Sequence, residues 1–98
     1  MAKRSPRMQS KHDTKVKEIA NKLKRQRWKV KADIPEYDHP DPIGKYKHVP
    51  DIQAEKAGAK KLIEVETKDT IQKDKKQHEA FRKSAAQRKK TSFEIVEV

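Results

Sequence analysis

The amino-acid sequence predicts a single α/β domain in which a four-stranded mixed sheet is flanked by two helices. The length of 98 residues suffices for one small domain. Apolar residues recur with the helical period in two segments, and four other segments have the short apolar or alternating runs typical of strands. Along the chain these segments follow the order α-β-β-β-α-β, which is typical of helices packed on one sheet.

The composition adds a strong positive charge and excludes several functional classes. Lys and Arg outnumber Asp and Glu by 26 to 15, so the formal net charge is +11. Charged residues make up 42% of the chain and hydrophobic residues 32%, a balance that favours disorder unless the apolar residues are periodic. The absence of cysteine excludes disulfides and thiolate chemistry. No apolar run approaches the roughly 20 residues of a membrane span, so we expect a cytoplasmic protein without a membrane partner. The positive charge favours nucleic acid as the partner.

The first helix follows a basic N-terminal segment. Residues 1–11 contain basic side chains and no acidic one, so we expect a disordered tail there and a folded domain over residues 12–98. Such a tail either grips phosphates or is a solvated leader without a role. Four apolar residues then recur at positions i, i+3, i+4 and i+7, which predicts a helix over residues 15–27. They are Val16, Ile19, Ala20 and Leu23.

The first strand is predicted directly after this helix. Apolar residues alternate with Lys and Asp over residues 28–34, a pattern typical of a half-buried strand. Pro35 ends the strand, because proline has no N–H group for the ladder. Residues 36–49 contain further prolines and a glycine without a clear period, so we expect a long loop.

The second helix and the last strand are predicted in the C-terminal part of the chain. A helical stripe extends over residues 71–88, and the β-branched residues 92–98 predict a strand. The four histidines are scattered and form no pair with the helical spacing of a metal site. We expect His78, which lies on the apolar stripe of this helix, to be packed or hydrogen-bonded in the core.

Between these elements, a predicted hairpin carries the residues with chemical interest. Residues 50–54 and 61–68 are strand-like, with a turn over residues 55–60. Alternate side chains of a strand share a face, so Glu64, Glu66 and Lys68 lie opposite the apolar side chains of the same strand. If the apolar faces of both strands are buried together, Asp51 projects toward these two glutamates.

This convergence of carboxylates suggests a metal site. Three neighbouring carboxylates raise one another's pKa unless a cation lies among them. A hard divalent cation such as Mg²⁺, or Mn²⁺, resolves the repulsion and retains water for a phosphate substrate. In a chain with a net charge of +11, such a site suits phosphodiester cleavage. The alternative is an ordinary solvated sheet face on which Glu and Lys pair across strands.

The segments Pro50-Asp51 and Ile63-Glu64-Val65-Glu66, in this order of elements, resemble the motif of the PD-(D/E)XK nuclease superfamily. Within it, the chain is most similar to small archaeal Holliday junction resolvases and related restriction-type endonucleases. The resemblance covers residues 11–98. It implies a restriction-endonuclease-like domain, with metal-dependent cleavage of DNA as its activity.

The resemblance also implies roles for particular residues. The metal-binding aspartate of the family falls on Asp51, and its second acidic ligand falls on Glu64. A glutamate that many members carry on the first helix falls on Glu18. A polar residue, commonly glutamine, that members carry on the helix after the third strand falls on Gln77. We therefore expect Glu18 and Gln77 to assist the two metal ligands.

Glu66 departs from the family pattern, because most members have a lysine at this position. A minority of restriction endonucleases are similar in having glutamate there. The resemblance then implies that Glu66 is a third metal ligand or a base that orients the attacking water. Lys68 lies one pleat repeat further on the same face, and we expect it to stabilise the charge of the transition state.

Taken together, these observations predict a metal-dependent endonuclease that hydrolyses phosphodiester bonds of duplex or branched DNA with Mg²⁺ or Mn²⁺. A homodimer is expected, because resolvase-like proteins cut two strands symmetrically. The alternative, which the glutamate at position 66 favours, is a catalytically inactive protein of the same fold that binds DNA or RNA. That alternative predicts salt-sensitive binding without metal dependence.

Overall fold

The computed structural model describes residues 6–44, 47–67 and 75–98 and has the six elements in the predicted order. It confirms the α/β class with two helices and a four-stranded mixed sheet. A restriction-endonuclease-like fold stays a prediction. The elements are α1 (Pro6–Arg25), β1 (Lys29–Ala32), β2 (Ile52–Lys56), β3 (Ala59–Glu66), α2 (Lys75–Ala86) and β4 (Thr91–Glu97).

The sheet has the strand order β1-β2-β3-β4. The first three strands pair antiparallel, with a long loop over residues 33–51 between β1 and β2 and a two-residue turn between β2 and β3. Strand β4 pairs parallel to β3 after a crossover that contains α2. The two helices cover opposite faces. Ile63 and Val65 of β3 pack in the cluster under α1, whereas Leu62 packs against Phe81 of α2. Successive residues of β3 therefore alternate between two different environments.

The expectation of a disordered tail over residues 1–11 is wrong for residues 6–11, which form the first turns of α1. Residues 1–5 lie outside the described part of the chain. Proline is favourable at the first helical position, because the N–H group that it lacks has no partner there. Gln9 donates a hydrogen bond to Asp13 one turn later, at 2.8 Å. Lys and Arg are also good helix formers, so a basic run does not by itself indicate disorder.

The C-terminal end of α1 is a Schellman motif. Arg27 has a φ of 68°, in the left-handed region. The N–H of Arg27 bonds to the carbonyl of Lys24, and the N–H of Trp28 bonds to the carbonyl of Leu23, each at 3.0 Å. This motif reverses the chain directly into β1, so that the helix ends at Arg25 rather than at residue 27.

The hairpin is confirmed, with a tighter turn than the predicted one over residues 55–60. The turn consists of Ala57 and Gly58, whose φ angles are 50° and 83°. Two positive φ angles are characteristic of a type I′ turn, which matches the twist of the flanking strands. As a result, Lys56 pairs with Ala59, and both strands extend further toward the turn than the sequence pattern indicated.

The main core lies between α1 and the sheet. Buried apolar side chains of α1 pack against those of the three antiparallel strands, while a smaller cluster under α2 contains Ile43, Leu62 and Phe81. The main cluster comprises Val16, Ala20, Leu23, Ala32, Ile34, Ile52, Ala54, Ile63 and Val65. The first residues of the predicted second helix, 71–74, lie outside the described residues. In the part of the chain that is described, no helix has the length and apolar character needed to cross a membrane.

Candidate metal centre

Three side chains that can bind a metal ion meet between the sheet and α2. Glu64 and Glu66 come from β3, and His78 comes from α2. Their ligand atoms lie within 4.8 Å of one another. The residues are deeply buried, with exposed fractions of 2%, 0% and 5%. Carboxylate oxygens and an imidazole nitrogen are common metal ligands, so this group could hold a metal ion.

His78 makes a buried hydrogen bond to Glu66. Its Nε2–H donates to Oε1 of Glu66 at 2.8 Å. The expectation that His78 is hydrogen-bonded in the core is therefore confirmed. The ring also lies 6.2 Å from the ring of Phe93, centroid to centroid, which restricts its orientation. A metal ligand must be deprotonated, so an ion that uses this nitrogen competes with the proton between the two side chains.

Two hydrogen bonds join Asp51 to Glu64 and Val65 at the end of the β2–β3 ladder. The N–H of Asp51 donates to Oε1 of Glu64 at 2.9 Å, and the N–H of Val65 donates to Oδ2 of Asp51 at 2.8 Å. The ladder ends there because β2 begins at Ile52 and Pro50 has no N–H group. The two carboxylates take the place of main-chain partners, and hydrogen bonds to a carboxylate are stronger than those between neutral groups.

Gln77 holds the other oxygen of Glu64. Its side-chain amide donates to Oε2 at 3.1 Å. Gln77 directly precedes His78 in α2, so one segment of this helix reaches both glutamates of β3. The two oxygens of Glu64 are thereby bonded from opposite directions, by the N–H of Asp51 and by α2. This fixes the orientation of the carboxylate within the group.

His12 is a member of the site that sequence reasoning missed. Its Nε2 lies 3.2 Å from Oδ2 of Asp51, and its Nδ1 lies 3.0 Å from Oδ1 of Asp13. The residue is buried, on the first turns of α1. A signal was present, because His12 precedes Val16 by four residues and so extends the buried stripe of this helix. The signal was lost because residues 1–11 were interpreted as a tail and the helix was expected to begin at residue 15.

The structure brings only some of the predicted site residues together. Glu64 and Glu66 share the buried group, and Gln77 contacts Glu64. Asp51, which the resemblance implies as a metal ligand, contacts Glu64 through its N–H, whereas its carboxylate accepts a bond from the N–H of Val65. The third member of the buried group is His78.

Glu18 is not brought to the group. Its side chain is 66% exposed and forms an ion pair with Lys15 at 3.6 Å. It lies two residues after Val16, so on a helix its side chain is turned about 200° away from the buried stripe. Lys68, the expected source of positive charge, lies outside the described residues.

No protein-family model, curated protein or solved structure matches the chain significantly. Membership of the PD-(D/E)XK superfamily therefore stays a prediction.

Proposed function

We propose that the protein is a metal-dependent endonuclease that hydrolyses phosphodiester bonds of DNA. The observation that carries this proposal is the pair of buried glutamates, Glu64 and Glu66, whose ligand atoms lie within 4.8 Å of each other and of the imidazole of His78. Burying neighbouring carboxylates is costly unless a cation compensates their charge. Elsewhere the chain is strongly basic, with a net charge of +11, which favours a polyanionic substrate.

The donor set favours Mn²⁺ over Mg²⁺. Mg²⁺ prefers oxygen ligands and retains several waters, whereas an imidazole suits later transition metals better. Two carboxylates and one imidazole are a mixed set that Mn²⁺ accepts. When bound, a divalent ion of this kind polarises the phosphate and lowers the pKa of a coordinated water.

Glu64 and Glu66 have distinct roles in this proposal. Glu66 has no exposed surface, so it is a metal ligand rather than the base that orients the attacking water. Glu64 is the ligand whose orientation is fixed, through the N–H of Asp51 and the amide of Gln77. Fixed orientation matters, because partners of metal ligands tune affinity and activity.

Asp51 is the acid nearest to solvent. Its side chain is 14% exposed and lies beside His12. This position suits a group that accepts a hydrogen bond from the attacking water, with His12 as the partner of the same carboxylate. Lys68 keeps its expected role of stabilising the developing charge on the phosphate. The proposed substrate is duplex or branched DNA, and the proposed active form is a homodimer that cuts both strands. The protein would act inside the cell, where that substrate occurs.

A second candidate function is nucleic-acid binding without catalysis. The observation that favours it is the closed pair of Glu66 and His78, bonded at 2.8 Å and shielded from solvent. Glu66 falls on the position where most members of the PD-(D/E)XK superfamily have a lysine. Its buried bond to His78 also suits a purely structural role. This candidate predicts binding that weakens with salt and does not depend on metal.

Cleavage of labelled DNA substrates tests the first proposal. Single-stranded, duplex, flap and four-way-junction DNA are incubated with Mg²⁺, with Mn²⁺ or with a chelator. The comparison includes Asp51→Asn, which retains an acceptor for the N–H of Val65, and Asp38→Asn, a matched change at an exposed aspartate. We expect cleavage that requires metal, that Mn²⁺ supports best, and that Asp51→Asn lowers by about 100-fold or more, within the range of a lost acid–base group.

Two outcomes would contradict this proposal. Full activity of Asp51→Asn or of Glu64→Gln would exclude the assigned roles, whatever the source of cleavage. Binding of DNA without cleavage under any of these conditions would favour the second candidate. A similar loss in Asp38→Asn would show that the variants lose activity through a general effect of charge.

A further inference from the structure

The sheet face that carries α2 is only partly covered. Among the described residues, α2 packs on β3 and β4 and has no contact with β1 or β2. The register of the antiparallel strands and the alternation of side chains place Lys29, Lys31, Gln53 and Glu55 on the part of this face beyond α2. Gln53 is buried beneath Asp41 of the β1–β2 loop, whereas Lys29 and Glu55, at the hairpin end, are exposed.

At the hairpin end, this part of the face opens into a cavity of about 540 Å³. The cavity lies between the type I′ turn, the segment that follows α2, and the start of β4. One acidic side chain, Glu55, lines it, whereas five basic residues do so. The basic residues are Lys29, Lys56, Lys60, Arg88 and Lys89.

Most of these cations are not held in ion pairs by the described residues. Lys29, Lys60, Arg88 and Lys89 form no ion pair with any described residue, and Lys56 donates to a main-chain carbonyl instead. Other lysines of the chain are neutralised by nearby acids. These pairs are Lys15 with Glu18, Lys17 with Glu36, and Lys31 with Asp41. A concave region lined mainly by charges of one sign concentrates the electrostatic field and attracts counter-ions.

We propose that this cavity, called the hairpin groove from here on, binds the phosphodiester backbone of a nucleic acid. The residues of the hairpin groove that carry the proposal are Lys29, Glu55, Lys60, Arg88 and Lys89. The cations among them come from three separate parts of the chain, namely β1, β3 and the α2–β4 connection. They are therefore spread over a surface rather than converged on one point, as a single phosphate would require. A polyanion with regularly spaced phosphates matches such a distribution.

The groove also points toward the candidate metal centre. Along β2, Glu55 lies at the hairpin end, and Asp51 directly precedes Ile52, the first residue of the strand. Four residues of a strand span about 13 Å, and a nucleic-acid strand advances about 3.4 Å per nucleotide along the duplex axis. A backbone held in the hairpin groove would thus reach Asp51 about four nucleotides away. This last step rests on the proposed function, whereas binding in the groove does not.

Binding of a fluorescent duplex, measured by anisotropy in the presence of chelator, tests the groove without any contribution from a metal. The groove variant is Lys60→Gln/Arg88→Gln/Lys89→Gln. The matched control is Arg7→Gln/Lys22→Gln/Arg25→Gln, which removes three exposed cations of α1. Both variants lower the net charge from +11 by three, and thermal unfolding checks that each is folded.

We expect the groove variant to bind about 100-fold more weakly near 0.1 M salt, with the slope of log K against log salt reduced by about 2.7, the value for three lost phosphate contacts. The control variant should retain most of the affinity for the duplex and most of its salt dependence. An equal loss in the two variants would overturn the proposal, because total charge would then explain binding. Unchanged binding of the groove variant would overturn it as well.

Two further measurements separate this proposal from its alternatives. Polyglutamate at the same charge concentration should not displace the duplex; efficient displacement would identify an acidic protein as the partner and overturn the nucleic-acid assignment. Asp38→Asn, at an exposed aspartate outside the groove and the metal centre, should bind the duplex in chelator like the unmodified chain. If the groove variant loses binding while no form of the protein cleaves DNA, the groove is supported and the nuclease proposal alone fails.

Discussion

At the C-terminal end of β3, the two faces of the sheet are buried to the same extent by different chemistry. On β3, Ile63 and Val65 face α1 and pack against its apolar stripe. The intervening Glu64 and the following Glu66 face α2 and are equally buried. The first face is an ordinary hydrophobic core, whose stability grows with the apolar area removed from water. The second face consists of carboxylates whose burial depends on particular bonding partners.

This difference separates the stable part of the fold from the part that can carry chemistry. Apolar contacts are non-directional, so many arrangements of the α1 face would serve. The bonds on the α2 face require correct positions from the start of β2 and from α2 together, at Asp51, Gln77 and His78. Replacing such buried polar groups by apolar ones is often neutral or stabilising. Stability alone therefore does not explain them, and the proposed metal centre does.

The largest effect is expected on the apolar face. Ile52 is fully buried beneath α1, and Ile52→Ala should lower the free energy of unfolding by about 3–4 kcal/mol through lost burial and the resulting cavity. Urea denaturation measures this change. Val49→Ala, at a residue that is 38% exposed, should cost about 0.5 kcal/mol. Similar losses in the two variants would show that the cluster under α1 is not the main source of stability.

The α2 face of the sheet, called the polar face because it carries the buried Glu64 and Glu66, should be stabilised by metal binding. Mn²⁺ at 100 times its Kd should stabilise the protein by about 2.7 kcal/mol if it binds only the folded state, measured as a rise in Tm with Mn²⁺ concentration. Glu64→Gln and His78→Gln should abolish this rise. Ile52→Val, a conservative change on the other face, should retain it despite a lower starting Tm. An undiminished rise in His78→Gln would exclude this histidine as a ligand.

Gln77 allows a finer test of the polar face, because it contacts Glu64 without belonging to the three-ligand group. Gln77→Leu should cost about 1.5 kcal/mol, typical of a lost bond to a charged group, and should weaken Mn²⁺ binding about 10-fold, as the loss of a partner of a metal ligand does. Gln87→Leu, just beyond α2 and exposed, is the control. Loss of stability with unchanged Mn²⁺ affinity would assign Gln77 a purely structural role.

The same contrast explains how much could be predicted from the sequence. The α1 face was predictable, because periods of 3.6 and 2 are local properties and mark its helix stripe and its strands directly. The hairpin and the shared face of Glu64 and Glu66 follow from the same alternation. The ends of α1 were less predictable, because a basic run is compatible with both a solvated tail and a helix, and His12 lies before residue 15, where the apolar stripe predicts the helix to begin.

The partners on the α2 face could not be predicted in this way. The position of α2 over the sheet is set by contacts of Phe81 with Leu62 and Phe93, which are distant in sequence. The proximity of His78 to Glu66 is a consequence of that packing and leaves no local pattern. Glu18 shows the converse: its place opposite the buried stripe was visible in the sequence, but the resemblance to the nuclease family favoured it as a site residue.

The smallest expected effect lies at the outer edge of the polar face, at Asp41. The amide of Gln53 donates to its carboxylate and Lys31 forms an ion pair with it, so that its pKa is lowered below the ordinary 3.8. Because the folded-state pKa is the lower one, the stabilisation is complete above the unfolded value and is lost as pH falls through the folded value. NMR titration of the Asp41 carboxyl should show this depression. Gln53→Met should raise the pKa of Asp41 more than Lys31→Met does, because the bond from Gln53 is the larger cause. A pKa at or above 3.8 in the unmodified protein would mean that neither contact persists in solution, and that the ordered polar face ends at Glu64 rather than extending across β2.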